Sequence, residues 1–229
     1  MEKFSINQIP AVLYGAPAGR VFLHVHGKLG CKEEGERLAD IVCPKGYQVL
    51  SIDLPGHGER RTEMARFVPW EVVPELEGLY SWAAKRWKKV SLYANSIGAY
   101  FSLRAFADKQ LEKALLVSPV LDMEKLIRNM MLWARVTEQQ LERQGEIPTA
   151  FGETLSWRYL GYAKENPVTR WESPTSILYA GKDTLTERET VDAFARRFGC
   201  GLRIMEEGEH WFHTEEQLAV LEQWTAEEI

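Results

Sequence analysis

Ser96 stands in Val90-Ser91-Leu92-Tyr93-Ala94-Asn95-Ser96-Ile97-Gly98-Ala99, where a β-prone run ends and a helix-compatible run begins. Small residues, Ala94 and Gly98, sit two places to either side of it. The pattern predicts a strand, a sharp turn and a helix, with the hydroxyl held at the apex in a strained conformation and no room beside it for bulky side chains. A serine hydroxyl is a weak nucleophile near neutral pH. To attack a carbonyl it needs a base within hydrogen-bond reach, a third group that orients the base, and N–H donors where the oxyanion forms. The complement to Ser96 is therefore a histidine, a carboxylate and a tight glycine-containing loop, all at the C-terminal edge of a parallel sheet.

The histidine candidate is His210, in Glu206-Glu207-Gly208-Glu209-His210-Trp211-Phe212-His213, after one apolar run and before the last helical one. His213 competes, but it stands beside Thr214, whose Thr214-Glu215-Glu216-Gln217 spacing is that of a capping box. The carboxylate candidate is Asp183, where the run Ile177-Leu178-Tyr179-Ala180 ends in Gly181-Lys182-Asp183. Its rival is Asp122, downstream of Ala114–Val117, which equally suits the entrance to an inserted segment; Asp183 in turn suits a helix cap. The loop His24-Val25-His26-Gly27-Lys28-Leu29-Gly30 has two glycines that let the backbone approach a ligand. The N–H of Lys28, with Leu29 as the alternative, and the N–H of Ile97 are the candidate oxyanion donors. His24 and His26 also form a His-x-His pair that, with His57 or Asp53, has the composition of a zinc site, a rival reading that leaves the Ser96 turn unexplained.

The elements that must position these residues alternate along the chain. Strands are expected at Ala11–Tyr14, Val21–Val25, Tyr47–Ile52, Val90–Ala94, Ala114–Val117, Ser176–Ala180 and Leu202–Met205. Helices are expected at Glu33–Val42, Val72–Trp87, Ile97–Ala107, Glu187–Phe198 and Glu215–Trp224. Repeated βα units imply an α/β fold with a mostly parallel central sheet flanked by helices. From Asp122 to Trp171 the rhythm breaks: the stretch is aromatic and reads as helical, with no buried strand. It is expected to be a small helical cap inserted before the last two strands of a single domain spanning 1–229. Its Trp133, Trp157 and Trp171 suit a cap core or a pocket lining equally well.

With 229 residues, 45% of them hydrophobic, the chain can bury one sizeable core. A net formal charge of −5 without a dense basic block argues against a nucleic-acid surface. No apolar run approaches the roughly 20 residues that span a bilayer. Met1 to Pro10 lacks the pattern of a secretory leader, and three scattered cysteines, Cys31, Cys43 and Cys200, suit free thiols; both point to a cytoplasmic protein.

The chain resembles an α/β-hydrolase of the small serine esterase and lipase group. The likeness rests on His26-Gly27, on Asp53-Leu54-Pro55-Gly56-His57-Gly58, on the Ser96 elbow, on Gly181-Lys182-Asp183 and on Gly208-Glu209-His210. They run in the group's order of nucleophile, acid, base and cover nearly the whole chain; Ala94 replaces the usual first glycine of the elbow. Serine at the elbow separates the chain from the dehalogenase and dienelactone hydrolase branches, which use Asp and Cys. The resemblance implies cofactor-free, metal-free cleavage of short- or medium-chain carboxylic esters through Ser96, His210 and Asp183. Thioesterase, amidase and acyltransferase chemistry use the same groups, and a non-catalytic binding protein of the same fold is the alternative from another class.

Overall fold

Continuous apolar runs, buried on both faces, build the middle of the sheet in the computed structural model, which describes residues Met1–Ile229. The strands are β1 (Glu2–Ile6), β2 (Ile9–Tyr14), β3 (Arg20–Val25), β4 (Gln48–Ile52), β5 (Lys89–Asn95), β6 (Ala114–Val117), β7 (Glu146–Pro148), β8 (Thr154–Ser156), β9 (Thr175–Ala180) and β10 (Gly201–Met205). The helices are α1 (Gly35–Val42), α2 (Pro69–Ala84), α3 (Ile97–Ala105), α4 (Met123–Ala134), α5 (Glu138–Gln144), α6 (Trp157–Glu165), α7 (Arg188–Phe198) and α8 (Glu215–Glu227). Eight strands form one sheet in the order β1-β2-β4-β3-β5-β6-β9-β10. Only β2 runs against its neighbours, and all pairings from β4 to β10 are parallel.

Alternate strand residues feed two apolar layers, as the two-residue period requires. Phe22, Tyr93, Leu115 and Leu178 pack against α1 and α8, under Trp224. Leu23, Leu92, Leu116 and Ile177 pack against α2, α3 and α7. This second layer continues into residues 122–171 through Leu126, Leu141, Leu155, Leu160 and Trp171, all buried. The chain order switches direction between β3 and β5, so the loops after those two strands diverge and leave a crevice at their C-terminal ends.

Two features depart from the sequence pattern. The sheet begins at Glu2, not at Ala11: β1 pairs antiparallel with β2 as an edge strand with only Ile6 buried, so it carries almost no apolar signal. The inserted segment is not wholly helical. Between α5 and α6 it contains the antiparallel ribbon β7–β8, in which Ile147 faces Leu155. At its tip Thr149 and Glu153 close a turn, with the Thr149 N–H donating to the Glu153 carbonyl at 2.8 Å.

Candidate active site

The turn after β5 puts Ser96 at φ 50, ψ −120, a left-handed conformation rare for a residue with a side chain. Neighbouring backbone holds it there. The Ser96 N–H donates to the Val117 carbonyl at 3.0 Å, and the Ser96 carbonyl accepts from the Val120 N–H at 3.1 Å. Gly98 lies flat against the end of β3: a Cβ there would overlap the His26 carbonyl oxygen and come within 2.7 Å of that of Val25. Ala94 is fully buried in β5, where its methyl fits without the glycine usual in such elbows.

Three residues from three strand ends meet. Ser96 Oγ lies 2.8 Å from His210 Nε2, and His210 Nδ1 lies 2.7 Å from Asp183 Oδ2. The Asp183 side chain is fully buried and that of His210 is 20% exposed. Asp183 follows β9 and His210 follows β10. The other carboxylate oxygen of Asp183 accepts the backbone N–H of Leu185 at 2.7 Å and of Thr186 at 3.1 Å, so the carboxylate is oriented as well as buried. An acceptor-only carboxylate at Nδ1 requires the imidazole proton there and leaves Nε2 free to accept from the Ser96 hydroxyl. Burial, with the nearby Asp183 charge, pushes the Tyr179 phenol up to about 12; its hydroxyl donates to the Thr186 carbonyl at 2.9 Å and braces the same loop.

The loop after β3 brings Gly27 against the serine, its Cβ position 3.2 Å from Ser96 Cβ. The next backbone N–H, that of Lys28, has no acceptor in the protein, and neither does that of Ile97 in the first turn of α3. The Gly27–Lys28 peptide is gripped by a residue whose role is not readable from sequence. His26, with no exposed surface, accepts the Leu54 N–H at Nε2 (3.0 Å) and donates from Nδ1 to the Gly27 carbonyl (2.7 Å). Gly30 N–H donates to the same carbonyl at 3.2 Å. Burial, opposed by the Gly27 hydrogen bond, lowers the His26 pKa to about 4, which keeps this two-sided clamp neutral.

The remaining candidates lie elsewhere. Asp122 caps α4, accepting the Lys125 N–H at 2.9 Å. His213 Nδ1 donates to the Trp211 carbonyl at 2.6 Å, ahead of the Thr214 cap of α8. His24 Nδ1 meets Ser51 Oγ at 2.7 Å, and both His26 nitrogens are taken by backbone, so the His-x-His pair is spent on structure. Asp53 forms a fully buried ion pair with Lys32 at 2.8 Å and also accepts the Lys32 and Glu59 N–H groups, tying the loop after β3 to the loop after β4. Burial disfavours the Lys32 cation, but the bonds to Asp53 and Glu59 outweigh it and raise its pKa. His57 Nδ1 donates to Pro55 O at 2.8 Å. The cysteines Cys31, Cys43 and Cys200 are unpaired.

The inserted segment reaches the site from above. Glu153, at the ribbon tip, pairs with the Lys28 side chain, and Phe151 beside it stacks edge-on with Trp133 at 6.1 Å. The tryptophans divide: Trp171 is buried, its indole N–H donating to Thr175 Oγ1 at 2.7 Å, whereas Trp133 is 49% exposed.

Known structures share this arrangement of elements. Est1E from Butyrivibrio proteoclasticus, solved with ferulic acid bound, superposes with a TM-score of 0.81 at 17% identity over 99% of this chain and 97% of that one. The α/β-hydrolase domain-containing protein 10 from mouse superposes with a TM-score of 0.79 at 12% identity, over 99% and 96%. A structure reported for the metagenome-derived lipolytic enzymes LipS and LipT gives a TM-score of 0.69 at 16% identity, over 94% of this chain and 95% of that one. No family model matches the sequence. The hydrolase pyiE of Pyricularia grisea is 30% identical over 135 residues, which is 50% of this chain but only 29% of that protein, so the chain spans less than a third of its curated relative. The strand order and these likenesses define the class: the chain has the α/β-hydrolase fold.

Proposed function

We propose that the protein is a serine hydrolase of carboxylic esters with short- or medium-chain acyl groups. The unbroken chain of contacts from Asp183 through His210 to Ser96, at the apex of a strained turn, carries this reading. The solved neighbour described as lipolytic agrees with it.

In this mechanism Ser96 Oγ attacks the ester carbonyl carbon as His210 Nε2 removes its proton. The negative charge that develops on the carbonyl oxygen is met by the free N–H groups of Lys28 and Ile97. Asp183, fixed by Leu185 and Thr186, holds the imidazole tautomer and stabilises its cation. His210 returns the proton to the departing alkoxide, leaving an acyl-serine. Water, deprotonated by the same nitrogen, then releases the carboxylic acid and restores Ser96.

Ser96→Ala tests the reading. It is expected to abolish turnover of p-nitrophenyl butyrate while the thermal transition stays in place; turnover at the native rate would overturn it. A panel of chain-length-matched esters, thioesters and amides places the preferred leaving group, and ester turnover below that of the matched thioester would redefine the activity as a thioesterase.

A further inference from the structure

Gly27-Lys28-Leu29-Gly30 closes a four-residue turn after β3, in which the Gly30 N–H donates to the Gly27 carbonyl at 3.2 Å. Leu29 sits at φ 69, whereas Lys28 stays outside the left-handed region. That combination is a type II turn, whose third residue is ordinarily glycine or asparagine, because a Cβ there crowds the preceding carbonyl. Leucine adopts it at a cost, and no packing offsets that cost, since the Leu29 side chain is 87% exposed. The relaxed alternative is a type I turn. It keeps the closing bond, returns Leu29 to negative φ and turns the Lys28–Leu29 peptide over, so that the Lys28 carbonyl and the Leu29 N–H change sides. Strained backbone of this kind persists only where the surroundings over-determine it.

The His26 grip on the Gly27 carbonyl does not choose between the two turns, because both leave that carbonyl in place. The Lys28 side chain supplies the further constraint. It reaches out of the turn and pairs with Glu153 at the tip of the β7–β8 ribbon. Glu153 is itself held. Its N–H donates to Thr149 Oγ1 at 3.2 Å, and its carbonyl accepts the Thr149 N–H at 2.8 Å and the Thr149 hydroxyl at 2.7 Å. The other hydrogen bonds of ribbon residues 146–156 stay within the inserted segment. The ion pair is therefore the ribbon's one polar tie to the sheet, and it lands on the residue whose N–H is a proposed oxyanion donor. A side chain anchored at its far end opposes the rotation about Lys28 that the peptide flip requires.

We propose that Glu153 is a positioning residue: through the Lys28 side chain it holds the oxyanion loop in the strained type II turn. The flip would reverse a peptide dipole beside the Lys28 N–H, where the charge of the oxyanion develops, so the held orientation is the one that serves the reaction. The inserted segment thus sets the rate of the chemical step as well as covering the site. This rests on the serine-hydrolase reading.

Glu153→Gln is expected to lower kcat for p-nitrophenyl butyrate roughly 2- to 5-fold, the range open to a half-exposed ion pair, with KM little changed. Salt at roughly 0.5 M should bring the native kcat down towards that of the variant and leave the variant unmoved. Leu29→Gly takes the strain out of the type II turn, so in that background Glu153→Gln should have no effect. Exchanging the charges, Lys28→Glu with Glu153→Lys, should restore what either reversal alone removes. An equal loss with and without Leu29→Gly would overturn the proposal, as would a change in KM at constant kcat, which would make Glu153 a substrate contact. The nuclear Overhauser effect between Lys28 Hα and the Leu29 amide proton, strong in a type II turn and weak in type I, reads the loop without turnover. It should weaken in Glu153→Gln and return when Leu29→Gly is added. If no ester is turned over, the hydrolase reading fails and this signal still decides the role of Glu153: dependence on Glu153 supports it, and an unchanged signal overturns it.

Discussion

Asp183→Asn separates charge from geometry at the proposed triad. One carboxylate oxygen accepts the N–H groups of Leu185 and Thr186 at 2.7 and 3.1 Å, and the other faces His210 Nδ1 at 2.7 Å. In the asparagine the oxygen must stay with the two backbone donors, because the opposite flip leaves both unpaired in a fully buried position. The amide NH2 then points at Nδ1, and two donors meet. The imidazole relieves this by moving its proton to Nε2, which then donates to Ser96 instead of accepting from it, and general-base catalysis stops. The expected loss is about 10⁴-fold in kcat, as for an acid-to-amide change in other triads, or about 5 kcal/mol of transition-state stabilisation. The side chain is isosteric and keeps both backbone bonds, so the Tm should hold. The assay is p-nitrophenyl butyrate hydrolysis under saturating substrate, with a melting curve on the same sample. Loss of less than roughly tenfold would refute the argument, as would a larger effect from Asp122→Asn, whose amide oxygen can still cap the Lys125 N–H.

Two further outcomes follow from the buried histidines. His26→Leu removes the donor to the Gly27 carbonyl and should lower kcat by about 10- to 100-fold with little change in KM, less than the loss of an oxyanion donor outright; a KM effect at constant kcat would assign His26 to substrate binding instead. Burial, aided by His26, lowers the His24 pKa to about 3, and burial lowers that of His26 to about 4, while both titrate near 6.5 once unfolded. The unfolded chain therefore binds more protons below about pH 6.5, and the stability present above that value is lost as pH falls towards 4, on the order of 3 kcal/mol from His26 alone. Melting curves from neutral pH to pH 4 check this, and His24→Gln should flatten the slope; an unchanged slope would show that the carboxylates dominate.

How much of this was legible in the sequence depended on the range of the interactions. Core strands announce themselves locally: the run 90–94 is apolar because both faces of β5 are covered, and Ser96 stands out because a turn follows at once. Asp183 and His210 were readable as loop residues after apolar runs. β1 was not, since an edge strand with one buried residue shows no alternation. The β7–β8 ribbon was not, since three-residue strands are too short to show a period and Pro148 stands at the end of one. His26 was visible as half of a His-Gly pair, yet its clamp needs Leu54, a residue 28 positions away.

The contact at Gly98 has a consequence for tolerance to change. The two proposed oxyanion donors ride on separate bodies, one on the loop leaving β3 and the other on the first turn of α3. What separates these bodies at Gly98 is backbone against backbone, since even a methyl group would overlap the His26 carbonyl. Their spacing is therefore gauged by main-chain atoms that every sequence shares, with no side chain in the gap as a shim. Substitutions that repack the apolar layers can tilt strands and helices modestly without altering the gap, provided position 98 stays hydrogen-only. A scaffold gauged in this way can let its core residues drift far while the distance that matters for chemistry remains fixed.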